Sequence, residues 1–363
     1  FEPFYVPSKV GRYTVTYPQP LGEWVDHAGL EGWRQDAAAV RLNDGRVLLL
    51  GGTYGSSEPE ALRLAEIYDP ASESWTRVDD MHAARGLGLS ATLLQDGRVL
   101  VVGGQTEVAG VGEGIAELFD PNTGSWTQTS ANSDINRYHH RALLLSDGSV
   151  LVSGGIQDGA TLKRVRVYHP DTDSWTSVGG TSYGRYKHQL SLLSDGTVLI
   201  TGGTTNTRIS ELYDPVTQKC STTTSIVKSR RGHTATSLLD GRILLVGADA
   251  GTGIGSAEVF DPESSSSTLL EGNIPGVASG HAATLLLDGS VLVVGGEDSS
   301  GTALSSTAVF DPETNSWSSG PQLPFSASAH SVERLHDGRV LLTGMQNSSD
   351  SYLLDVQDYL VMA

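Results

Sequence analysis

The chain is poor in several features that would have marked the commoner kinds of protein. It has one cysteine, Cys220, in 363 residues, so no internal disulfide can staple it and cysteine usage says nothing of compartment. Positive charge is scarce: 24 Lys and Arg stand against 42 Asp and Glu. The resulting net charge of −18 disfavours nucleic acid and anionic membranes as partners, because both require a cationic surface. No run approaches the roughly 20 apolar residues of a membrane-spanning helix. Apolar residues at a helical period are missing over any useful length. What the chain does have is 43 glycines among many serines and threonines, the profile of an all-β protein rich in turns. It begins at Phe1 and not at Met, so an upstream segment was either cleaved off or left out, and of the two the expectation leans to a removed export signal and a secreted or periplasmic location.

The stretch Arg137 to Gly155 holds the unit from which the rest is built. Ala142–Leu145 and Val150–Val152 are apolar without alternation, as in strands covered on both faces. Asp147-Gly148 between them predicts a tight type I′ hairpin turn, and Gly154-Gly155 ends the second strand. Asp-Gly turns recur at Asp44, Asp96, Asp147, Asp195, Asp240, Asp288 and Asp337, with spacings of 52, 51, 48, 45, 48 and 49 residues. Glycine pairs follow at 51–52, 103–104, 154–155, 202–203 and 295–296, with Gly247-Ala248 and Gly344-Met345 as degenerate copies. Six copies carry a third strand ending in a turn such as Ile67-Tyr68-Asp69-Pro70. Five residues after four of those prolines stands Trp75, Trp126, Trp175 or Trp317, opening a fourth strand.

Four antiparallel strands per ~50 residues, with a double glycine and a spaced tryptophan, resemble the kelch repeat. The resemblance covers nearly the whole chain and implies a seven-bladed, all-β propeller around a central channel. The four tryptophans lie 20 or 21 residues before the next Asp-Gly aspartate, and Trp24 lies 20 before Asp44. The N-terminal segment around Trp24 is therefore expected to be the outer strand of the last blade, closing the ring. Tyr359–Met362 is the competitor for that place. Residues 1–20 have no repeat counterpart and are expected to form an appendage to a single propeller domain, 21–363.

Strand direction puts the Asp-Gly and Asp-Pro turns on one face. The glycine-pair loops and the segments before each first strand lie on the other, around the channel mouth. Seven residues before each Asp-Gly aspartate stand Ala37, Leu89, His140, His188, His233, His281 and His330, a histidine column read as structural. One place earlier the column is Asp36, Gly88, His139, Lys187, Gly232, Gly280 and Ala329, and before that come Gln35, Leu87, Tyr138, Tyr186, Arg231, Ser279 and Ser328. With Arg34, Arg137, Arg185 and Arg230 just upstream, polar side chains concentrate in blades 1, 3, 4 and 5. A repeat scaffold does not require that asymmetry. We expect a site with His139, Lys187, Tyr138 and Tyr186 in acid–base roles and Asp36, Arg137, Arg185, Arg231, Gln105 and Gln157 as ligand contacts. Tyr54, Thr204, Asp249, Glu297 and Gln346 are further loop candidates.

Three functions fit these residues. A binding module for a polar or anionic small molecule, carbohydrate or peptide suits clustered Arg and Tyr. An acid–base enzyme of the polysaccharide lyase or sugar epimerase type would use the same groups, with a base for the α-proton and arginines on the carboxylate. The third is a copper-radical oxidase. Tyr138-His139 looks like the tyrosine–histidine ligand pair of galactose oxidase, but Leu87 and Gly88 stand where a second tyrosine is expected, and Cys220 falls on an outer strand. Neither a metal nor another cofactor is expected, and the chain is expected to be a monomer. The acidic Asp-Pro turns lack the spaced oxygens of a calcium loop and are read as turn chemistry. Cys220 is read as a packing substitute for the missing fourth tryptophan.

Overall fold

A computed structural model describes residues 21–27, 29–55, 60–106, 114–130, 135–204, 208–247, 255–270, 279–345 and 350–355. The proposed appendage (1–20), the competing strand Tyr359–Met362, Asp249 and Gln346 lie outside these residues.

Seven four-stranded antiparallel sheets form the blades. In blade 1 the strands are Ala38–Arg41, Val47–Leu50, Ala65–Asp69 and Ser74–Arg77, from the channel outwards. The second strand of each blade is the most buried because both its faces meet neighbouring blades. Val47–Leu50 is fully covered, as are Val198–Thr201 and Val340–Thr343. The core is accordingly a set of seams between blades, for example Leu48, Leu50 and Ile67 against Val99, Val101 and Phe119. Burial on both faces explains why these strands read as continuous apolar runs.

Blade 7 closes the ring as the tryptophan spacing predicts. Trp24–His27 pairs antiparallel with Ser351–Leu354, in register Trp24 to Leu354, beside Val340–Thr343 and Ser331–Arg334. Trp24 is buried and its Nε1 donates to Pro321 O at 3.0 Å. The last blade is thus shared by both ends of the chain.

The Asp-Gly turns correct one expectation. Only the glycines have positive φ, from 83° to 91°. Gly45 N donates to Leu42 O and Leu42 N to Arg46 O, which is a type I turn followed by a left-handed glycine, a three-residue loop. The aspartate supports it by accepting the N–H two residues on, as Asp44 Oδ1 does from Arg46 N at 3.1 Å. The Asp-Pro turns use the same device, with Asp69 Oδ1 accepting from Ala71 N at 2.9 Å, so these carboxylates serve as turn acceptors.

Candidate functional site

The glycine pairs and the histidine column are two halves of one joint between blades. The second glycine donates its N–H to a carbonyl of the next blade: Gly104 to Arg137 O at 3.0 Å, Gly155 to Arg185 O and Gly203 to Arg230 O, both at 2.7 Å. The first glycine faces that blade's histidine ring. A Cβ on Gly103 would stand 2.8 Å from His140 Cε1, and one on Gly202 would stand 2.6 Å from His233 Cε1. Across the joint, Nε2 of His140, His188 and His233 pairs with Ser90, Ser153 and Thr201 hydroxyls at 2.8, 2.6 and 3.0 Å. Burial holds all five column histidines well below the usual imidazole range. They are neutral wedges of the scaffold.

The arginines upstream of the mouth are also scaffold, and here the structure corrects the sequence reading. Arg137 and Arg185 are completely buried and do not face the mouth. Arg185 forms an ion pair with Glu211 on its own blade's third strand at 2.7 Å and donates to Gly202 O at 2.5 Å. Arg137 donates to Gly154 O at 2.8 Å. Arg34–Glu66, Arg85–Glu117 and Arg230–Glu258 repeat the ion pair in blades 1, 2 and 5. Arg85 escaped the sequence comparison because one extra residue separates it from the mouth position. The signal was present, since each blade with this pair has Glu at the second residue of Ala-Glu-Ile-Tyr-Asp or its equivalents.

The position before each histidine lies on the channel rim. There the backbone is left-handed in all seven blades, with φ of 57° at Asp36, 74° at Gly88, 56° at His139, 51° at Lys187, 74° at Gly232, 66° at Gly280 and 53° at Ala329. Backbone hydrogen bonds link these positions from blade to blade: His139 N donates to Gly88 O, Lys187 N to His139 O and Gly232 N to Lys187 O, at 2.8–2.9 Å. Such geometry favours glycine, which explains three of the seven residues. It also aims the other side chains over the neighbouring rim. A Cβ on Gly88 would stand 2.6 Å from His139 Nδ1, so only glycine admits that ring. The space beside Gly232 is bordered by Lys187 Cδ at 4.0 Å, and that beside Gly280 by Glu297 Cδ at 3.7 Å.

Five blades thus contribute to one mouth. The Tyr138 ring lies 5.3 Å from that of His139, which lies 6.4 Å from Tyr186. Arg231 Nη1 donates to Tyr186 Oη at 2.5 Å, and its guanidinium carbon lies 5.0 Å from the centre of that ring. Asp36 feels Lys187 and Glu297 across the channel. Burial pushes its carboxyl up to about 6, opposed by Lys187 and helped by Glu297. Burial lowers Lys187, with Asp36 opposing and Arg231 and Arg141 adding to the shift. Burial, Lys187 and Arg141 hold His139 down to about 3, so its ring is neutral.

Gln157 lies on a short hairpin and accepts from Arg164 Nη1 at 3.1 Å. Gln105 is half-buried, and its backbone pairs with Gly86 and Leu87. Exposed Tyr54 stacks on Trp33 with ring centres 4.6 Å apart. Arg141, missed in the sequence because it opens a strand, lies two residues beyond His139 at the head of the blade's innermost strand, beside Gln189 of the next blade.

A seven-bladed ring with paired glycines at its joints defines the chain as a kelch-type β-propeller. It belongs to the kelch-repeat family: residues 36–248 match the KLHDC2/KLHL20/DRC7 Kelch-repeats domain and 279–324 match the Kelch motif. It is 26% identical to human Kelch-like protein 23 over 257 residues, 69% of this chain and 44% of that protein. It is 25% identical to an N-acetylneuraminate epimerase of Brucella suis over 187 residues, 40% of this chain and 48% of the epimerase. The chain therefore spans less than half the length of either relative. A fungal alcohol oxidase of the AA5 family, solved with copper, shares the fold with a TM-score of 0.69 at 17% identity, over 92% of this chain and 76% of the oxidase.

The donor set at this mouth does not fit a copper-radical centre. Leu87 and Gly88 leave no second tyrosine on that blade's rim. Cys220 stands opposite Tyr213 on an outer strand, where its Sγ donates to Gly179 O at 3.4 Å and burial pushes the thiol up to about 12. Among the described residues, no three His, Cys, Asp or Glu side chains gather as metal ligands.

Proposed function

We propose that the channel mouth on the glycine-pair face binds a small polar or anionic ligand, a carbohydrate or a short peptide. The observation that carries this reading is the convergence of Asp36, His139, Lys187 and Glu297 over a rim cleared by glycines. Removing ionisable groups from water is costly, and propeller closure gains nothing from having them there. Arg231 stacked on Tyr186 supplies a flat, cationic wall suited to a sugar ring or an anionic group. The N-acetylneuraminate epimerase among its relatives directs the search to sugar acids. The test is thermal shift and calorimetry with neutral sugars, sugar acids and short peptides. We expect at least one class to bind, with affinity falling at least tenfold in Lys187→Ala and in His139→Ala while the unliganded Tm barely changes. Binding that persists undiminished in both variants would remove the site from the mouth.

A second reading, an acid–base enzyme, is favoured by the pairing of Asp36, pushed up to about 6, with a lysine of lowered pKa. An acid shifted up beside an amine shifted down is the kind of pair that general acid–base chemistry uses. Lyase activity on uronic-acid polymers would appear as new ultraviolet absorbance from an unsaturated sugar. Epimerase activity would appear as a change in optical rotation.

A further inference from the structure

Arg141 stands at the head of blade 3's innermost strand, Arg141–Leu144, just inside the mouth. Its Nε donates to Gln189 Oε1 at 3.1 Å, and Gln189 is itself oriented by donating from Nε2 to His233 O at 2.5 Å. Among the described residues no carboxylate pairs with Arg141, and neither Nη has a protein partner. The contrast with Arg34, Arg85, Arg185 and Arg230 is direct, since each of those buried guanidiniums has a glutamate. The groups whose charge it senses are Lys187 and the histidines 139, 140, 188 and 233, and none of them is an acid. The equivalent positions in the other blades are Ala38, Ser90, Gln189, Thr234, Ala282 and Ser331, all neutral and mostly small, which leaves room beside the guanidinium.

Arg141 is a half-buried cation with no counter-charge among the described residues, and a planar fork with its Nη edges open to the channel matches a carboxylate. Burial lowers the pKa of Arg141, yet a guanidinium starts so high that it stays charged. We propose that Arg141 is the anchor for a carboxylate that enters the channel from the mouth and is held bidentately, the rest of the ligand lying among His139, Lys187, Tyr186, Arg231 and Asp36. This rests on the mouth being the ligand site and adds the group by which the ligand is recognised. A sugar acid and the C-terminus of a peptide both present it.

The test measures Tm of the wild type, Arg141→Met and Arg141→Lys in formate against chloride at equal ionic strength. Calorimetry on the same proteins then compares D-glucuronate with D-glucose, and a triglycine peptide with its C-terminal amide. We expect formate to raise the wild-type Tm more than chloride does. In Arg141→Met that difference should vanish while the Tm in chloride stays level or rises, because an uncompensated charge has been removed. A carboxylated probe preferred at least tenfold over its uncharged counterpart should lose that preference in Arg141→Met and keep part of it in Arg141→Lys. Whichever of the two pairs shows the preference identifies the source of the carboxylate. Equal formate shifts in wild type and Arg141→Met would overturn the anchor. So would binding of D-glucose or the amide that depends on Lys187 with no preference for the acid, an outcome that leaves the mouth as the site.

Discussion

Lys187 has a backbone conformation that glycine would take without strain, and Asp36 and His139 have it too. A left-handed non-glycine residue costs on the order of 1–2 kcal/mol. Ala329 shows that the rim imposes this geometry whether or not a polar group is presented, so the conformation is the scaffold's and the side chain is the variable part. Replacing Lys187 with glycine should therefore stabilise the unliganded protein by about 1 kcal/mol, by relieving the strain and releasing a partly buried cation. The same change should weaken ligand binding. Urea unfolding of the two proteins checks the sign, and a clear loss of stability would mean that Lys187 is part of the scaffold.

At the scale of the strand, much of the blade was legible in the sequence. The apolar second strands, the glycine pairs and the tryptophans marked the right residues because each has a single structural use. The turn type was misread, since Asp-Gly suits both a type I′ turn and a type I turn with a left-handed glycine. The φ angles, positive at the glycine alone, and the pairing of Leu42 with Arg46 distinguish them. Arg137 and Arg185 were misplaced for a related reason: adjacent residues of an extended segment point opposite ways, so Tyr138 and Tyr186 reach the mouth while the arginines turn into the blade. The closing strand was legible through spacing alone. Deleting residues 1–30 should leave Ser351–Leu354 as an unpaired edge and empty the place of Trp24. We expect aggregation or a large fall in Tm by scanning calorimetry. A truncated chain that melts like the full one would contradict closure by this strand.

Across the whole ring, the histidines make stability depend on pH. Six of them, His139, His140, His188, His233, His281 and His330, are held below the ordinary value by burial. Below pH ~6.5 the unfolded chain protonates them and the folded one does not, so stability falls as pH drops from there towards about 4. Asp36 and Glu333, pushed up to about 6 and about 7, act in the opposite direction, since the folded state holds their protons first. The histidines outnumber the two acids, so the net effect is a marked loss of stability as pH falls through the unfolded imidazole range. Equilibrium unfolding measured between pH 7 and 4.5 should show this steep loss, and a flat profile would mean that the histidines are charged in the fold.

The charge asymmetry of the rim could be seen in the sequence as a column. A common site could be expected from that column, but which groups sense one another could not be read from it, because Asp36, Lys187, Arg231 and Glu297 lie on four different blades and meet only across a closed ring. A crystal structure of the protein soaked with a sugar acid or peptide that calorimetry shows to bind tests that convergence most directly. Ligand density is expected at the mouth, bounded by Tyr186 and Arg231 and in contact with Lys187 and His139. Density seated on the Asp-Gly face or on the outer edges of the blades, with the mouth empty, would contradict it.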